Sequence, residues 1–197
     1  MTTSRDEEIA LLFTEARTHG AWLDQPVPDD VLERLYALVR MGPTGGNAQP
    51  LRVVFVKSRE AKERLRPALM PGNVDKTMGA PVTAIVAYDA RYYDKLPQLF
   101  PARAEMRDHI AGMPEAQRDR LGTTSALLQA GYLILAARAL GLDCGPMGGF
   151  DPAQVDATFF PDGGWRSLLL VNLGYGDRAK LFPRLPRLPF EEACRVE

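Results

Sequence analysis

Cysteine and histidine are scarce in this 197-residue sequence, which has two of each. Cys144 and Cys194 lie far apart, and His19 and His109 have neither metal-ligand spacing nor an evident acidic partner. The pattern argues against a metal centre and against a Ser-His-Asp hydrolase. We expect two reduced thiols, with Cys144 packed as a small buried residue; a disulfide and a reactive Cys144 are the less favoured alternatives.

An excess of charge of one sign is also missing, because 24 basic residues nearly balance 25 acidic ones and leave a net charge of -1. Neither nucleic acid nor an anionic membrane surface is therefore an expected partner. No apolar run approaches the roughly 20 residues that span a bilayer. Acidic residues precede the short N-terminal apolar run, unlike in a secretory signal. We expect one cytoplasmic domain over residues 1–197.

Periodicity and capping residues predict five main helices, at 5–18, 30–40, 58–66, 125–140 and from Asp151 onward. Asp30 is predicted as an N-cap with Glu33 in a capping box, and Asp151 as a second N-cap followed by Pro152. The helix at 125–140 is apolar on nearly every side, so we expect it to be central and buried, ending at Gly141.

Apolar and β-branched runs predict strands at 52–57, 81–88 and 167–176. Residues 91–120, rich in aromatic and then charged residues, predict an inserted lid of short helices. The C-terminal tail holds three prolines within seven residues, so it must be extended. We expect the tail to lie along another surface, such as a second subunit. The predicted class is α+β, with helices around a small sheet.

The segment from Gly174 to Ala179 fits the dinucleotide-binding pattern G-x-G-x-x-A, which works only where a helix begins. The prolines of the tail follow too soon for such a helix, and the expected acidic residue would fall at the chain end. We therefore expect a turn into the tail and no Rossmann domain.

Three loops rich in glycine or amide residues have no such simple explanation: "MGPTGGNAQP" at 41–50, "PGNVDK" at 71–76 and "GPMGGF" at 145–150. Glycine lets backbone amides approach a ligand, and asparagine adds a donor and an acceptor. Basic residues stand near both chain ends. Together these features suit a planar heterocycle with a phosphate, whereas ordinary turns and solvated arginines remain the alternatives for each piece alone.

Several motifs recur in order along the chain: "ART…W", "GPTGGNAQPLRVVFV", "GNVDKT", "APVTAIVAYD", "ALGLDCGPMGGFD", "NLGYGD" and "PRLPRLPFEE". In this order they resemble the FMN-dependent nitroreductase family, from about residue 12 to residue 194. Within it the sequence is most similar to the HadB/RutE subfamily, whose named member is a malonic semialdehyde reductase of pyrimidine degradation. The resemblance implies a nitroreductase-like α+β fold with a mostly antiparallel central sheet surrounded by helices. It also implies an interlocked homodimer with an extended C-terminal tail and an FMN at each of two interface sites.

The resemblance assigns cofactor-binding roles to twelve positions: Arg17, Thr18, Pro43, Thr44, Gly45, Asn47, Asn73, Lys76, Gly148, Gly149, Arg184 and Arg187. The first two and the C-terminal arginines match phosphate contacts, with Arg184 as the alternative to Arg187. The 43–47 loop would reach the flavin of the partner subunit. Lys76 and Gly149 would assist at the flavin ring, and the glycine at 148 replaces an acidic residue that is common in the family.

The implied activity is ping-pong transfer of a hydride from NADH or NADPH through flavin N5 to a small acceptor. By subfamily the acceptor is malonic semialdehyde, reduced to 3-hydroxypropionate, and Arg103 and Arg107 in the insertion are the candidates to hold its carboxylate. Two alternatives stay open. One is a general NAD(P)H nitro or quinone reductase, and the other is a flavin-binding protein without catalysis.

Overall fold

The computed structural model describes residues 4–197. A four-stranded sheet of order β1-β2-β4-β3 lies at its centre, and every neighbouring pair is antiparallel. The strands are β1 (Leu51–Val56), β2 (Val82–Asp89), β3 (Asp143–Met147) and β4 (Trp165–Gly174). This arrangement confirms the predicted α+β class and the antiparallel sheet.

The helices surround this sheet. They are α1 (Arg5–Ile9), α2 (Asp29–Val39), α3 (Arg59–Leu65), α4 (Pro71–Gly79), α5 (Leu96–Leu99), α6 (Met106–Ala111), α7 (Glu115–Ala139), α8 (Pro152–Phe159) and α9 (Phe190–Ala193). A π-helical turn, Ala10–Thr14, continues α1, and short 3-10 turns occupy Gly45–Asn47, Arg66–Ala68, Tyr92–Lys95, Pro101–Arg103 and Arg178–Lys180.

The central strand β2 separates two apolar layers because alternate side chains of a strand point to opposite faces. Val82, Ala84 and Val86 pack with α2 and α7 on one face. Ile85 and Ala87 pack with α3 and α8 on the other. Burial on both faces explains why this strand is an uninterrupted apolar run in the sequence.

The first two helices differ from the prediction. The N-terminal helix ends at Thr14 rather than at residue 18, and the following residues lie along the sheet edge instead. Helix α2 begins at Asp29 after the extended Pro28, and no side chain caps it. Asp30 is therefore not the N-cap but lies in the first turn, where its charge favours the positive end of the helix dipole.

Helix α7 was predicted too short and too deeply buried. It begins at Glu115, ten residues before the predicted start, so the last residues assigned to the insertion belong to it. Its first three turns carry charged residues without an apolar stripe, which is why periodicity missed them. Leu127, Leu128 and Tyr132 are exposed on one face. The predicted end is confirmed, because Gly141 follows with a φ of 79°.

Three further segments were predicted: the start of α8, the 71–76 segment and the turn after β4. Asp151 caps α8 by accepting the Gln154 amide at 3.2 Å, as predicted. The "PGNVDK" segment is helical and forms the start of α4, not a loop. After β4 the chain makes only a 3-10 turn before the tail, so the α-helix required by a dinucleotide fingerprint is not there.

The structure of residues 4–197 bears on the two cysteines, on metal binding and on membrane-spanning helices. Cys144 is buried and Cys194 is exposed, and neither forms a disulfide. Burial raises the pKa of the Cys144 thiol to about 12, so it is protonated and unreactive at neutral pH. Within the described part of the chain, no cluster of His, Cys, Asp and Glu could hold a metal ion. Nor does this part contain a helix long and apolar enough to cross a membrane.

Candidate functional site

The two ends of the chain meet in a cationic cavity. It has a volume of about 760 Å³, and its lining includes Arg17, Thr18, Arg138, Arg184 and Arg187. Four arginines thus line one space, and guanidinium groups are the side chains that pair best with phosphate and carboxylate groups. The structure therefore brings together the N-terminal and C-terminal residues that were predicted as phosphate ligands.

Hydrogen bonds to backbone carbonyls fasten the tail to the N-terminal segment. The Arg17 guanidinium donates to the Phe182 carbonyl, and Arg184 donates to the carbonyls of Thr14 at 2.7 Å and Ala16 at 3.2 Å. Among residues 4–197, Arg187 donates only to the carbonyls of Leu185 and Pro186, in its own turn. Arg184 is thus partly used in holding the tail, whereas Arg187 is the freer cation for a ligand.

A second part of the site joins α4 to the loop after β3. The Asn73 amide donates to the Gly149 carbonyl at 2.9 Å, and a Cβ added at Gly149 would lie 2.4 Å from that amide nitrogen. A Cβ added at Gly148 would meet no atom within 4 Å. A side chain at 149 would therefore displace the Asn73 amide from its hydrogen bond, and the backbone at 148 borders open space.

Lys76 lies on the same helix against the N-terminal segment. A Cβ at Gly20 would lie 3.4 Å from the Lys76 Cγ, and the Trp22 indole donates to the Lys76 carbonyl at 3.0 Å. Thr18 forms a parallel bridge with Cys144 at the outer edge of β3. Thr18 thus lies beside β3, Lys76 lies against the segment that follows Thr18, and Asn73 holds Gly149 just after β3. We call Thr18, Asn73, Lys76 and Gly149, together with Arg17, Arg184 and Arg187, the cradle.

The Pro43–Asn47 loop belongs to a different part of the molecule. Its Gly45 amide donates to the Ser125 hydroxyl at 3.2 Å, and the Asn47 amide donates to the Leu99 carbonyl at 2.8 Å. Asn47 and Gly46 both adopt positive φ, 53° and 61°. The loop is thus held in a specific shape against α7 and the insertion.

Both the loop and the cationic cavity contact helix α7, so their separation along that helix can be given. Ser125 contacts the loop, while Arg138, thirteen positions later, lines the cationic cavity. At 1.5 Å per residue, these contacts are about 20 Å apart along the helix. The loop contact and the cationic cavity of one chain are therefore separate, and the predicted cofactor residues fall into two groups.

The two arginines predicted for a substrate carboxylate already have carboxylate partners. Arg103 pairs with Glu105 at 2.8 Å, and Arg107 pairs with Asp94 at 2.9 Å and with Asp108 at 2.8 Å. Arg107 is held by two partners from different elements, whereas Arg103 has one exposed neighbour in the chain. Of the two, Arg103 is the one that a substrate carboxylate could capture at lower cost.

Two buried groups near the cradle were missed by sequence reasoning. His19, which is 4% exposed, places Nε2 3.4 Å from the Asp143 Oδ1, so the expectation that it has no acidic partner was wrong. Burial lowers its pKa below 6.5, and Asp143 opposes part of that effect. Lys62, also 4% exposed, donates to the Thr77 and Ala80 carbonyls at the end of α4. Because their partners are distant in sequence, no local motif marks either residue.

The fold and the cavity define a class of protein: an α+β protein with a cavity of about 760 Å³ that four arginines line. The model of the "Nitroreductase family" matches residues 14–175, which is most of the chain. The chain belongs to the nitroreductase family.

Relatives of similar length carry related names. A protein of Rhodopseudomonas palustris (strain TIE-1), named "Putative NADH dehydrogenase/NAD(P)H nitroreductase", is 56% identical over 99% of this chain and 98% of its own length. A protein of Stutzerimonas stutzeri (strain A1501) with the same name is 58% identical over 94% of both chains.

Solved structures show the same fold at lower identity. A protein of Exiguobacterium sibiricum 255-15, crystallised in complex with FMN, superposes with a TM-score of 0.84 at 20% identity. The match covers 100% of this chain and 99% of the other. At that identity the comparison establishes the nitroreductase-like fold alone.

Proposed function

We propose that this protein is an FMN-dependent NAD(P)H oxidoreductase that uses NADH or NADPH as the reductant. The observation that carries the proposal is the cradle, in which Arg17, Thr18, Arg184 and Arg187 line one cavity that adjoins the segment packed against Lys76. An FMN phosphate needs such a concentration of cations, and the flavin ring needs flat, open backbone beside it.

The donor set fits FMN on its chemistry. Guanidinium groups suit a phosphate dianion because they offer paired N–H donors and stay charged. The open space at Gly148 leaves room for a planar ring against the backbone, and Asn73 and Lys76 offer polar groups at its side. FMN, when bound, supplies a centre that takes up a hydride from the nicotinamide and gives it to an acceptor.

The chain's own residues would bind and orient that cofactor and stabilise negative charge on its ring. Lys76 is the cation assigned to this last role, because a positive charge placed where negative charge develops lowers the barrier. Asn73 holds the loop at Gly149 in place through its 2.9 Å hydrogen bond. The protein therefore contributes position and electrostatics, with Lys76 and Gly149 assisting.

We also propose that the working form is a cytoplasmic homodimer in which Pro43, Thr44, Gly45 and Asn47 complete the partner's cradle. The separation of about 20 Å along α7 supports this, because the loop is remote from the cradle of its own chain. The exposed apolar residues fit an extensive interface. On the tail, Phe182, Leu185 and Leu188 are 84%, 74% and 71% exposed in the single chain. Large apolar side chains grouped in this way are typical of surfaces that bind another protein.

For the acceptor we propose malonic semialdehyde, reduced to 3-hydroxypropionate as in the HadB/RutE subfamily, which would place the protein in pyrimidine degradation. In that case Arg103, and less readily Arg107, would hold the substrate carboxylate. Steady-state rates of the Arg103→Ala and Arg107→Ala variants test these roles. A rise in KM for the semialdehyde, with an unchanged KM for an uncharged quinone, supports the assignment, and wild-type behaviour of both variants removes it.

A second candidate function is a general NAD(P)H nitro or quinone reductase. The relatives named as NAD(P)H nitroreductases and the open wall at Gly148 support it. Comparing kcat/KM for malonic semialdehyde, a nitroaromatic compound and a quinone separates the two. A preference for the semialdehyde favours the first, and a preference for the aromatic acceptors favours the second.

Binding of FMN itself is tested by titrating the flavin-free protein and following flavin fluorescence. Arg17→Glu should abolish binding, because it puts a carboxylate in the phosphate cavity. Arg5→Glu provides a matched control, because Arg5 begins the exposed α1 outside that lining. Equal FMN affinity of Arg17→Glu and the wild type would exclude this cavity as the phosphate site.

A further inference from the structure

His19 directly follows the two N-terminal residues of the phosphate cavity but does not line that cavity itself. It lines a smaller space of about 150 Å³ on the other side of Arg17 and Arg138. Its backbone amide donates to the Cys144 carbonyl at 2.9 Å. The imidazole is therefore behind the phosphate-binding residues, buried against the ends of β3 and β4.

Asp143 links this imidazole to the backbone at the end of β4. One carboxylate oxygen lies 3.4 Å from the His19 Nε2, and the other accepts the Gly176 amide at 2.9 Å. Asp143 is 31% exposed, whereas the His19 side chain is only 3% exposed. The pair thus connects the N-terminal segment with two strands from distant parts of the chain.

Glycines provide the space in which this segment lies. A Cβ at Gly176 would be 1.9 Å from the His19 Nδ1, and a Cβ at Gly145 would be 2.4 Å from the His19 carbonyl oxygen. A Cβ at Gly174 would lie 3.1 Å from the Trp22 ring. In the G-x-G pattern at 174–176, which resembles a nucleotide loop, the absence of side chains therefore allows residues 19–22 to pack against the backbone.

Protonation of His19 is disfavoured in this position. Burial is the main cause of its lowered pKa, and the nearby Arg178 and Arg17 add to it. A neutral imidazole has one N–H, and Asp143 is the acceptor that faces Nε2. The described residues offer no hydrogen-bond partner to Nδ1, which packs against Gly176. His19 is consequently a neutral imidazole beside a carboxylate and not an additional cation for the phosphate.

We propose that His19 and Asp143 are positioning residues that hold Arg17 and Thr18 in register with the phosphate of the flavin cofactor. This inference rests on the proposed FMN site. His19 acts through the backbone it anchors, because Thr18 bridges Cys144 and Arg17 precedes it by one residue. Loss of the pair should release the segment from the β3 edge and weaken phosphate recognition selectively.

Comparison of FMN with riboflavin separates this role from general damage, because riboflavin lacks the phosphate. His19→Ala should weaken FMN binding by about tenfold, equivalent to about 1.4 kcal/mol, and change riboflavin binding by less than about threefold. His19→Gln should restore most of the FMN affinity, since its amide nitrogen reaches the place of Nε2. Asp143→Asn provides a second variant of unchanged shape and should show the same selective loss. His109→Ala, which replaces the exposed histidine of α6, is the control and should change neither affinity.

The dissociation constants of both flavins are measured by fluorescence titration of the same preparations, together with urea unfolding. An equal loss for FMN and riboflavin would overturn the proposal and leave a purely structural role. Unchanged FMN affinity in His19→Ala would also overturn it. A wild-type protein that binds riboflavin as tightly as FMN would contradict the phosphate site itself, whereas binding of neither flavin would overturn the proposed function together with this inference.

Discussion

Mixing two inactive variants tests whether each site is built from two chains. Gly45→Trp fills the space beside the 43–47 loop, and Gly148→Trp fills the space beside the cradle. A Cβ at Gly45 would meet only the Ser125 hydroxyl oxygen, at 3.6 Å, and a Cβ at Gly148 would meet nothing within 4 Å. Both tryptophans are therefore expected to leave the fold intact and to exclude the flavin.

The recovery on mixing follows from symmetry. Random pairing of the two variants gives about half mixed dimers, each with one site that carries both substitutions and one site that carries neither. In the mixed dimers isolated through both tags, one site of two is intact, so flavin content per chain should return to about half of the wild-type value, with each variant alone near zero. This expectation rests on the separation of about 20 Å along α7 between the loop contact at Ser125 and Arg138 of the cationic cavity in one chain.

The assay is flavin absorbance per chain after the variants are co-expressed with different affinity tags and purified through both. Gly164→Trp, in the turn before β4, serves as the matched control, because a Cβ there meets only the neighbouring Asp162 carboxylate, no closer than 3.7 Å. It should retain full flavin. No recovery in the mixed preparation would refute the shared site and would mean that the loop serves its own chain, whereas full flavin in Gly45→Trp alone would mean that the loop serves neither.

Three further predictions concern single residues. Lys62 has a pKa lowered by burial to about 8, against 10.5 ordinarily, so the unfolded chain keeps this proton to a higher pH than the folded protein. Between pH 8 and 10.5 the free energy of unfolding of the wild type should therefore rise by about 3 kcal/mol relative to that of Lys62→Met. Urea unfolding at several pH values measures this difference, and parallel pH profiles of the two proteins would refute the lowered pKa of Lys62. Lys76→Met should slow reduction of bound flavin by NAD(P)H at full occupancy in stopped-flow measurements, and an unchanged rate would remove Lys76 from that role. Leu128→Glu replaces a leucine of α7 that is 50% exposed with a charged residue and should shift the proposed dimer to monomer in sedimentation, whereas an intact dimer would place the interface elsewhere.

Local chemistry explains which elements the sequence predicted well. The β-branched run of β1 and the buried run of β2 are strong strand signals, and Asp151 with Pro152 marks a helix start. Strand β3 was missed because its five residues, "DCGPM", include glycine and proline. It is a strand because β4 pairs with it along its whole length, and that partner lies beyond any local window.

The same distinction holds for the candidate site. Glycines, amides and terminal arginines stand out in the sequence, and the structure gathers the arginines around one cavity. The resemblance assigned the 43–47 loop to the partner's flavin, but the residues alone did not indicate that the loop contacts α7 at Ser125, thirteen positions before Arg138 of the cationic cavity. His19 and Asp143 were equally hidden, because their contact depends on the packing of the N-terminal segment against β3.

The visible absorption spectrum of the purified protein, before and after anaerobic addition of NADH or NADPH, tests the central claim most directly. The account predicts a flavin spectrum that is bleached by the reduced nicotinamide. A flavin spectrum that persists would contradict the oxidoreductase proposal and leave a flavin-binding protein. No flavin spectrum, even after incubation with FMN, would contradict the assignment of the cradle itself.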